Sequence, residues 1–288
     1  VAISSVIARQ ASPSNDVFST THLAGKLIID IQLNQGAAPW PALRDAAIAA
    51  EETGYSTLWN LDHFSGSMFR ADSMLECFTC ITAWAGVTNT IGLGTLVTNV
   101  MNREPGLLAN IVSSVQQIAG DRFTLGIGAG TAPNSPWAGE QKALGLPLLP
   151  TMAERHARLA EVVDIMRGIW AHDRSDSFVG FPRPVSSPRI IAGINSVGLA
   201  RVAGERLDGV NMRFNHPQRG EFIEAARTAS ANRSDFEVSV WAPFNAEFAD
   251  PDHELHKELA GEGVTRLILL MSDVVNVDAI TSVKKYLK

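Results

Sequence analysis

Leu125-Gly-Ile-Gly-Ala-Gly130 is the stretch on which the fold turns, because it can be read in two ways. As a dinucleotide-binding loop it would have to close a strand and open a helix, with glycines at fixed spacing. Neither condition is met. The sixth position of the G-x-G-x-x-G pattern is Thr131, and Thr131-Ala-Pro-Asn134 with Pro136 writes a loop where the helix should begin. What remains is an apolar run, Phe123 to Ala129, that ends in glycines. It reads as a strand end kept free of side chains. Either a flat ring lies against the backbone there, or a barrel simply packs tightly.

Outward from this strand the chain alternates regularly. Towards the N-terminus, Pro105 to Ala119 reads as a helix with Pro at its start and Gly120 beyond its end. Thr90 to Thr98 is a strand, Met74 to Ala85 a helix, Thr57 to Asp62 a strand, Pro41 to Thr53 a helix and Lys26 to Leu33 a strand. Towards the C-terminus a long connection, Gly130 to Pro150, breaks the rhythm. Thr151 to Trp170 follows as a helix opened by a capping box, Thr151-Met-Ala-Glu154. After a proline-rich connection, 171–188, strands at 189–194, 209–214, 236–243 and 266–271 alternate with helices at 196–207, 218–232, 252–261 and 277–287. Eight strand–helix pairs with nearly all-apolar strands predict a parallel α/β sheet covered on both faces, and the count favours a single (β/α)8 TIM barrel over an open sheet. The barrel is assigned to residues 26–288. Residues 1–25, rich in Ser, Thr and Asn, read as an arm before it.

Composition narrows the function classes. Hydrophobic residues make up 45% of the 288 residues and charged ones 19%, with a formal net charge of -6 and no Lys/Arg cluster. That argues against a nucleic-acid partner. No apolar run is long enough for a membrane span, and Arg9 comes too early for a secretory leader, so a soluble cytoplasmic protein is expected. Cys77 and Cys80 have C-x-x-C spacing but lie inside a helix pattern without a second pair; they are expected to be packing thiols. No His/Asp/Glu set has metal-ligand spacing, and no G-x-S-x-G turn is present.

A parallel barrel places its chemistry at the C-terminal ends of the strands. Glycines and polar residues gather there: Gln32 and Asn34, Asn60 with Asp62-His63-Phe64, Thr98 and Asn99, Gly128 to Thr131, Gly193 and Asn195, Asn211, Arg213 and His216, Trp241 and Asn245, Ser272 and Asp273. His63 could exchange a proton near neutral pH, or could be a loop histidine capping a carbonyl. Asn195-Ser-Val-Gly198 opens a helix, where free N–H groups attract phosphate or where Asn and Ser serve as an ordinary cap. His253 and His256 read as solvated; His22, His156 and His172 read as incidental.

Four segments in this order resemble the bacterial luciferase-like monooxygenase superfamily, and most closely its coenzyme F420-dependent branch. They are Thr57 to Phe64; Ile91 to Thr98 with Arg103-Glu-Pro105; Gly120 to Gly130; and Ile191 to Ser196, running on to Ala203 to Gly209. The resemblance implies a luciferase-like barrel with Asp62 and His63 beside the cofactor ring, as catalytic and binding residues. It implies a non-prolyl cis peptide at Leu96-Val97 backing the ring. Thr98, Ala129, Gly130, Thr131 and Asn134 would line the cofactor, and Gly193, Asn195, Ser196 and Val197 would hold its phosphate. Arg103, Trp137, Arg213, His216 and Asn245 are candidate substrate contacts. The activity implied is hydride transfer between C5 of the deazaflavin and a small organic molecule. An FMN-dependent monooxygenase and a non-catalytic cofactor-binding barrel are the alternatives, and no metal is expected. Sugar-phosphate dehydrogenases of this branch carry Glu where this chain has Thr131, so their substrate does not transfer. The 171–188 region is short for the family. A homodimer is expected through the helices after the second and third strands, which are apolar on more than one face, including Phe78, Ile81, Trp84, Leu107, Leu108, Ile111 and Val112.

Overall fold

The computed structural model describes residues 26–287; the arm expected at 1–25, with His22, lies outside them. Eight strands form one closed, wholly parallel barrel in sequence order, with the eighth returning to the first. They are β1 (Ile28–Leu33), β2 (Thr57–Asn60), β3 (Gly92–Asn99), β4 (Phe123–Gly128), β5 (Arg189–Gly193), β6 (Gly209–Arg213), β7 (Glu237–Pro243) and β8 (Arg266–Met271). Between and after them run α1 (Trp40–Thr53), α2 (Cys77–Ala85), α3 (Pro105–Ala119), α4 (Gly139–Ala143), α5 (Met152–Trp170), α6 (Val197–Arg206), α7 (Arg219–Ala229), α8 (Glu254–Gly261) and α9 (Val277–Ser282).

Helix ends follow their local chemistry. The α5 capping box is present: Glu154 N donates to Thr151 Oγ1 at 3.2 Å, and Thr151 N donates to Glu154 Oε2 at 2.9 Å. The predicted start of α2 at Met74 moves to Cys77, because Glu76 is the cap and its carboxylate accepts from Thr79 N at 2.7 Å. The unpredicted α4 is a five-residue helix inside the long connection after β4.

Most of the core lies between helices and strands, and a smaller cluster of Trp59, Leu96, Ile191 and Ile268 fills the barrel interior. Below it, at the N-terminal end of β8, Arg266 Nη1 lies 2.7 Å from Asp30 Oδ2, and Trp59 Nε1 donates to the same oxygen at 2.7 Å. Burial pushes the Asp30 carboxyl upward against the opposing pull of Arg266. Groups at this face of a barrel hold the fold, leaving the other face for chemistry.

The apolar faces of α2 and α3 are mostly spent within the barrel itself. Phe78, Ile81, Trp84, Leu108 and Val112 are buried, and of the residues expected at a dimer contact only Leu107 is more than half exposed, at 56%. Cys77 and Cys80 are free and buried; burial lifts the Cys77 thiol well above its ordinary value and the Cys80 thiol to about 12, as packing thiols require. His256 is a correction to the sequence expectation: it is buried, and its Nε2 lies 2.9 Å from the Phe248 carbonyl oxygen. Its helix turns it inward against the chain that precedes α8.

Candidate active site

The glycine-ended strand β4 acquires its meaning from its neighbour. Pairing between β3 and β4 runs from Thr95–Leu125 to Thr98–Ile127, so β3 carries one extra residue. Within this bulge the Leu96–Val97 peptide is cis, as the family resemblance implies. The bulge presses on β4 and β5. A Cβ on Gly126 would stand 2.0 Å from the Thr95 carbonyl oxygen, and one on Gly128 or Gly193 would stand 2.8 Å from a Val97 methyl. The glycines therefore admit the bulge and the Val97 side chain. Packing against the bulge accounts for Gly126, Gly128 and Gly193, and Gly128 and Gly193 also line the cavity beside Leu96 and Val97.

Polar groups pin this floor. Gln32 Nε2 donates to the Leu96 carbonyl at 2.6 Å. Thr98 Oγ1 donates to Thr95 Oγ1 at 2.9 Å, and Thr95 Oγ1 donates to the Gly126 carbonyl at 2.8 Å. At the end of β2, Gln35 holds the Leu61 backbone from both sides, donating to its carbonyl at 2.5 Å and accepting from its N–H at 3.1 Å. That fixes the origin of the Asp62-His63 segment.

Above the floor opens a cavity of about 490 Å³ at the C-terminal ends of the strands. Its wall brings together Asp62, His63, Leu96, Val97, Ala129, Gly130, Thr131, Gly193, Asn195 and Trp137 of the expected site. Thr98, Asn134, Ser196, Val197, Arg103, Arg213, His216 and Asn245 stand outside that wall, each with another partner or place. Thr98 is fully buried in the hydroxyl chain beneath the bulge, and Asn134 is exposed. Ser196 caps α6, accepting from Leu199 N at 3.3 Å, and Val197 packs on the core. Arg213 lies over the Trp241 ring at 5.6 Å, His216 stacks on Phe222 at 4.6 Å, and Asn245 accepts from Glu247 N at 3.0 Å.

Asp62 and Arg103 form a buried pair. Arg103 Nη1 and Nη2 each lie 2.9 Å from a carboxylate oxygen of Asp62, and Asp62 Oδ2 also accepts from Asn99 N at 2.9 Å and Asn102 Nδ2 at 3.1 Å. Arg103 Nη2 further donates to Glu76 at 2.5 Å. Burial works against the Arg103 cation, but the two carboxylates outweigh it and hold its pKa above the ordinary value. Arg103 thus bonds both oxygens of Asp62 and is itself shared between two carboxylates. Together they tie the end of β2 to the loop after β3.

His63 is held differently. Its Nδ1 lies 2.8 Å from Glu140 Oε1, and Glu140 Oε2 accepts from the N–H groups of Phe64 at 2.8 Å and Ser65 at 3.0 Å. Burial alone would raise the Glu140 carboxyl, but the bond and charge of His63 and these two N–H donors hold it below its ordinary value. An ionised carboxylate only accepts, so Nδ1 carries the hydrogen and Nε2 is the ring nitrogen left for a ligand. Glu140 sits on α4, 77 positions from His63, and sequence reasoning missed it. A five-residue helix has no readable period; the one available signal was the length of the connection itself, since long ordered loops tend to be functional. Gln141, also missed, lines the cavity. Its Nε2 donates to Asn102 Oδ1 at 3.3 Å and to Glu140 Oε1 at 3.2 Å, while its buried Oε1 has no partner. Phe69 and His156, which the sequence reading did not place at the site, also line the cavity. His156 reaches the first turn of α6: a Cβ on Gly198 would stand 3.3 Å from its ring.

A closed β/α barrel with a cavity over a strand bulge, and a carboxylate-held histidine in its wall, is a barrel of the enzyme type. The chain belongs to the luciferase-like monooxygenase family, whose model matches residues 22–273. Among curated relatives it is similar to an F420-dependent glucose-6-phosphate dehydrogenase of Kineococcus radiotolerans, with 29% identity over 178 residues, 58% of this chain and 50% of that protein. It is also similar to a 5,10-methylenetetrahydromethanopterin reductase of Methanolobus tindarius, with 25% identity over 218 residues, 72% of this chain and 63% of that protein. The match thus spans about half the length of the dehydrogenase. Among solved structures, an F420-dependent secondary alcohol dehydrogenase in complex with an F420–acetone adduct superposes with a TM-score of 0.71 at 20% identity, covering 91% of this chain and 99% of that one. A monooxygenase from Streptomyces bottropensis gives 0.69 at 16% identity, covering 90% and 97%. These structures show the shared fold. Among the described residues no His/Cys/Asp/Glu group is arranged to hold a metal, and no helix is long and apolar enough to cross a membrane.

Proposed function

We propose that this chain is an oxidoreductase that transfers a hydride between coenzyme F420 and a small organic substrate. The observation that carries this reading is His63, fixed through Nδ1 by Glu140 and set in the wall of a cavity floored by the Leu96–Val97 bulge. The cofactor assignment draws on the relatives, two of which act in deazaflavin chemistry by name or superpose as such.

The residues present fit a deazaflavin. Leu96 and Val97 offer an apolar platform for a flat ring, and the buried, partnerless Oε1 of Gln141 is an acceptor in want of a donor such as a ring N–H. Asn195, at the mouth of α6, with Arg155 and His156 from α5, would hold a phosphate, since helix starts and cations both favour anions. When bound, the deazaflavin would supply the hydride chemistry. The chain's own part is positional. Asp62 and Arg103 lock the approach to His63, Glu140 sets its tautomer, and Nε2 hydrogen-bonds the substrate oxygen and holds or takes its proton. The bulge and cavity walls exclude water from one face.

Titration of the protein with F420 and with FMN tests the cofactor. Tight F420 binding with weak FMN binding is expected. Tight FMN binding with none for F420 overturns the reading in favour of an FMN-dependent monooxygenase. F420 binding with no turnover of any alcohol or carbonyl compound, unchanged by His63→Ala, overturns it in favour of a non-catalytic cofactor-binding barrel. We also propose that two copies pair through α2 and α3, where Ile111 lines an external groove and Leu107 on the same helix is exposed; a 31.0 kDa species on size-exclusion chromatography would refute this.

A further inference from the structure

The His63 end of the cavity differs from the α6 end in both charge and surface. Three rings meet there. His63 lies 5.1 Å from Phe69 and 5.5 Å from Trp137, centroid to centroid, and Phe69 lies 5.8 Å from Trp137. They come from separate connections: Phe69 from a short turn after β2, Trp137 from the loop after β4. Trp137 is 42% exposed and Phe69 half-buried, so a large apolar surface stands open to a ligand rather than closed in a core. Polar and apolar tasks are divided among the rings. His63 Nδ1 is engaged with Glu140, leaving Nε2 as its free polar atom, and Phe69 and Trp137 supply the apolar face.

The charges at this end disfavour an anion. Glu140 places a carboxylate 2.8 Å from the His63 ring. Arg103, tied to the end of β2, is neutralised by Asp62 and Glu76. Among the described residues lining the cavity, the cationic candidates are Arg155 and His156, both on α5, and Arg155 Nη1 donates to the carbonyls of Leu149 and Pro150. Arg70, Lys142 and Arg213 are exposed and stand outside the cavity wall. A phosphate or carboxylate brought to Nε2 would meet the Glu140 carboxylate bonded to the same ring, while the cationic candidates of the wall belong to α5; like charges set against each other are a means of rejection.

We infer that the His63 end takes an uncharged hydroxyl compound with an apolar body, seated against Phe69 and Trp137 with its hydroxyl donating to His63 Nε2, and rejects phosphorylated substrates. This rests on reading the cavity as a hydride-transfer site.

The test uses a matched pair of probes, cyclohexanol and cyclohexyl phosphate, added to the full chain with and without F420. Binding is followed by saturation-transfer NMR and by tryptophan fluorescence. The neutral probe is expected to bind at least about tenfold more tightly than the phosphate, and Phe69→Ala or Trp137→Ala should each weaken it by roughly tenfold, the scale of losing a small apolar contact in a binding site. F420 affinity should stay unchanged, and Trp137→Phe, which keeps a ring, should retain most probe affinity. Equal or tighter binding of the phosphate overturns the inference, as does probe binding that survives both alanine variants. If the alanine variants lose F420 instead of the probe, the rings belong to the cofactor and the inference also falls. Failure of the wild-type chain to bind F420 at all, with probe selectivity intact, would count against the proposed reaction and leave the selectivity standing.

Discussion

Replacing Glu140 with glutamine changes one atom and should reverse the chemistry of His63. In the wild type, Glu140 Oε2 accepts from Phe64 N and Ser65 N while Oε1 faces His63 Nδ1. A glutamine that keeps its single oxygen on the two backbone N–H groups must turn its NH2 towards Nδ1. Nδ1 then has to accept, the ring hydrogen moves to Nε2, and the free nitrogen becomes a donor where it had been an acceptor. If Nε2 works as a base, the variant should lose about 10²–10⁴-fold in kcat, the usual contribution of a positioned proton acceptor. The structural cost is smaller: exchanging charge-assisted bonds for neutral ones on a carboxylate that is 7% exposed should destabilise by ~1–3 kcal/mol. At roughly 2–4 °C per kcal/mol for a domain near this size, the variant stays folded at 25 °C. Two readouts separate the effects. Nitrogen NMR of the histidines reports the tautomer without any substrate, and should show the His63 hydrogen moving from Nδ1 to Nε2. Kinetics with any turned-over alcohol should show a fall in kcat much larger than the change in KM. The pH dependence has a defined sign. Glu140 has a depressed folded pKa, so its stabilisation is complete above the ordinary carboxylate range and is lost as pH falls through the lower folded value. The glutamine variant should lack that acid-side step. An unchanged tautomer, or kcat within about twofold of wild type, would refute the role given to Glu140.

Three further predictions follow from the same geometry. Arg103→Leu leaves the fully buried Asp62 carboxylate without its cation and should cost about 3–5 kcal/mol, read by denaturant unfolding; a loss below 1 kcal/mol would show the pair to be dispensable. Gly193→Ala puts a methyl 2.8 Å from Val97 Cγ1 and should displace the floor of the cavity, costing roughly 1–3 kcal/mol in stability and weakening F420 binding; an unaltered Kd would detach the floor from the cofactor. His156, whose pKa is lowered by burial and by Arg155, should be neutral without ligand and charge when an anion binds beside it. F420 affinity should therefore rise as pH falls below the ordinary histidine range, and His156→Ala should flatten that dependence; equal slopes in the two proteins would remove His156 from the phosphate end.

The parts of this molecule written in the sequence are those whose cause is local. β8 is recovered at Arg266–Met271 to the residue, because a run of apolar residues covered on both faces needs no partner to be recognised. The α5 capping box is likewise local, both groups lying three positions apart. Strand ends pointed to the face of the barrel that carries the cavity, since Gln32, His63, Asn99, Gly130, Asn195, Asn211 and Trp241 all line it. What failed to show was set by pairing across the chain. The partner of Asp62 is one such case: Arg103, 41 positions on, bonds both its oxygens. Glu140 belongs to a helix too short to announce itself, and its partner lies in another connection.

The glycine run shows why such sites resist reading by motif. Its spacing mimics a phosphate loop, yet each glycine answers a different demand, and two of the demands come from β3. Gly126 yields to a carbonyl at Thr95 and Gly128 to a methyl at Val97, both about thirty residues earlier, while Gly130 takes a φ of 85° where the chain leaves the strand. Alternation of glycine with Ile127 and Ala129 is then the imprint of the bulge on its neighbour. The same imprint appears on β5, where Gly193 also faces Val97. A bulge that needs glycine on two neighbouring strands can be sought in a sequence as a pair of glycine-ended strands following a third, and that pairing is more specific than either glycine motif alone, because both must yield to the same side chain.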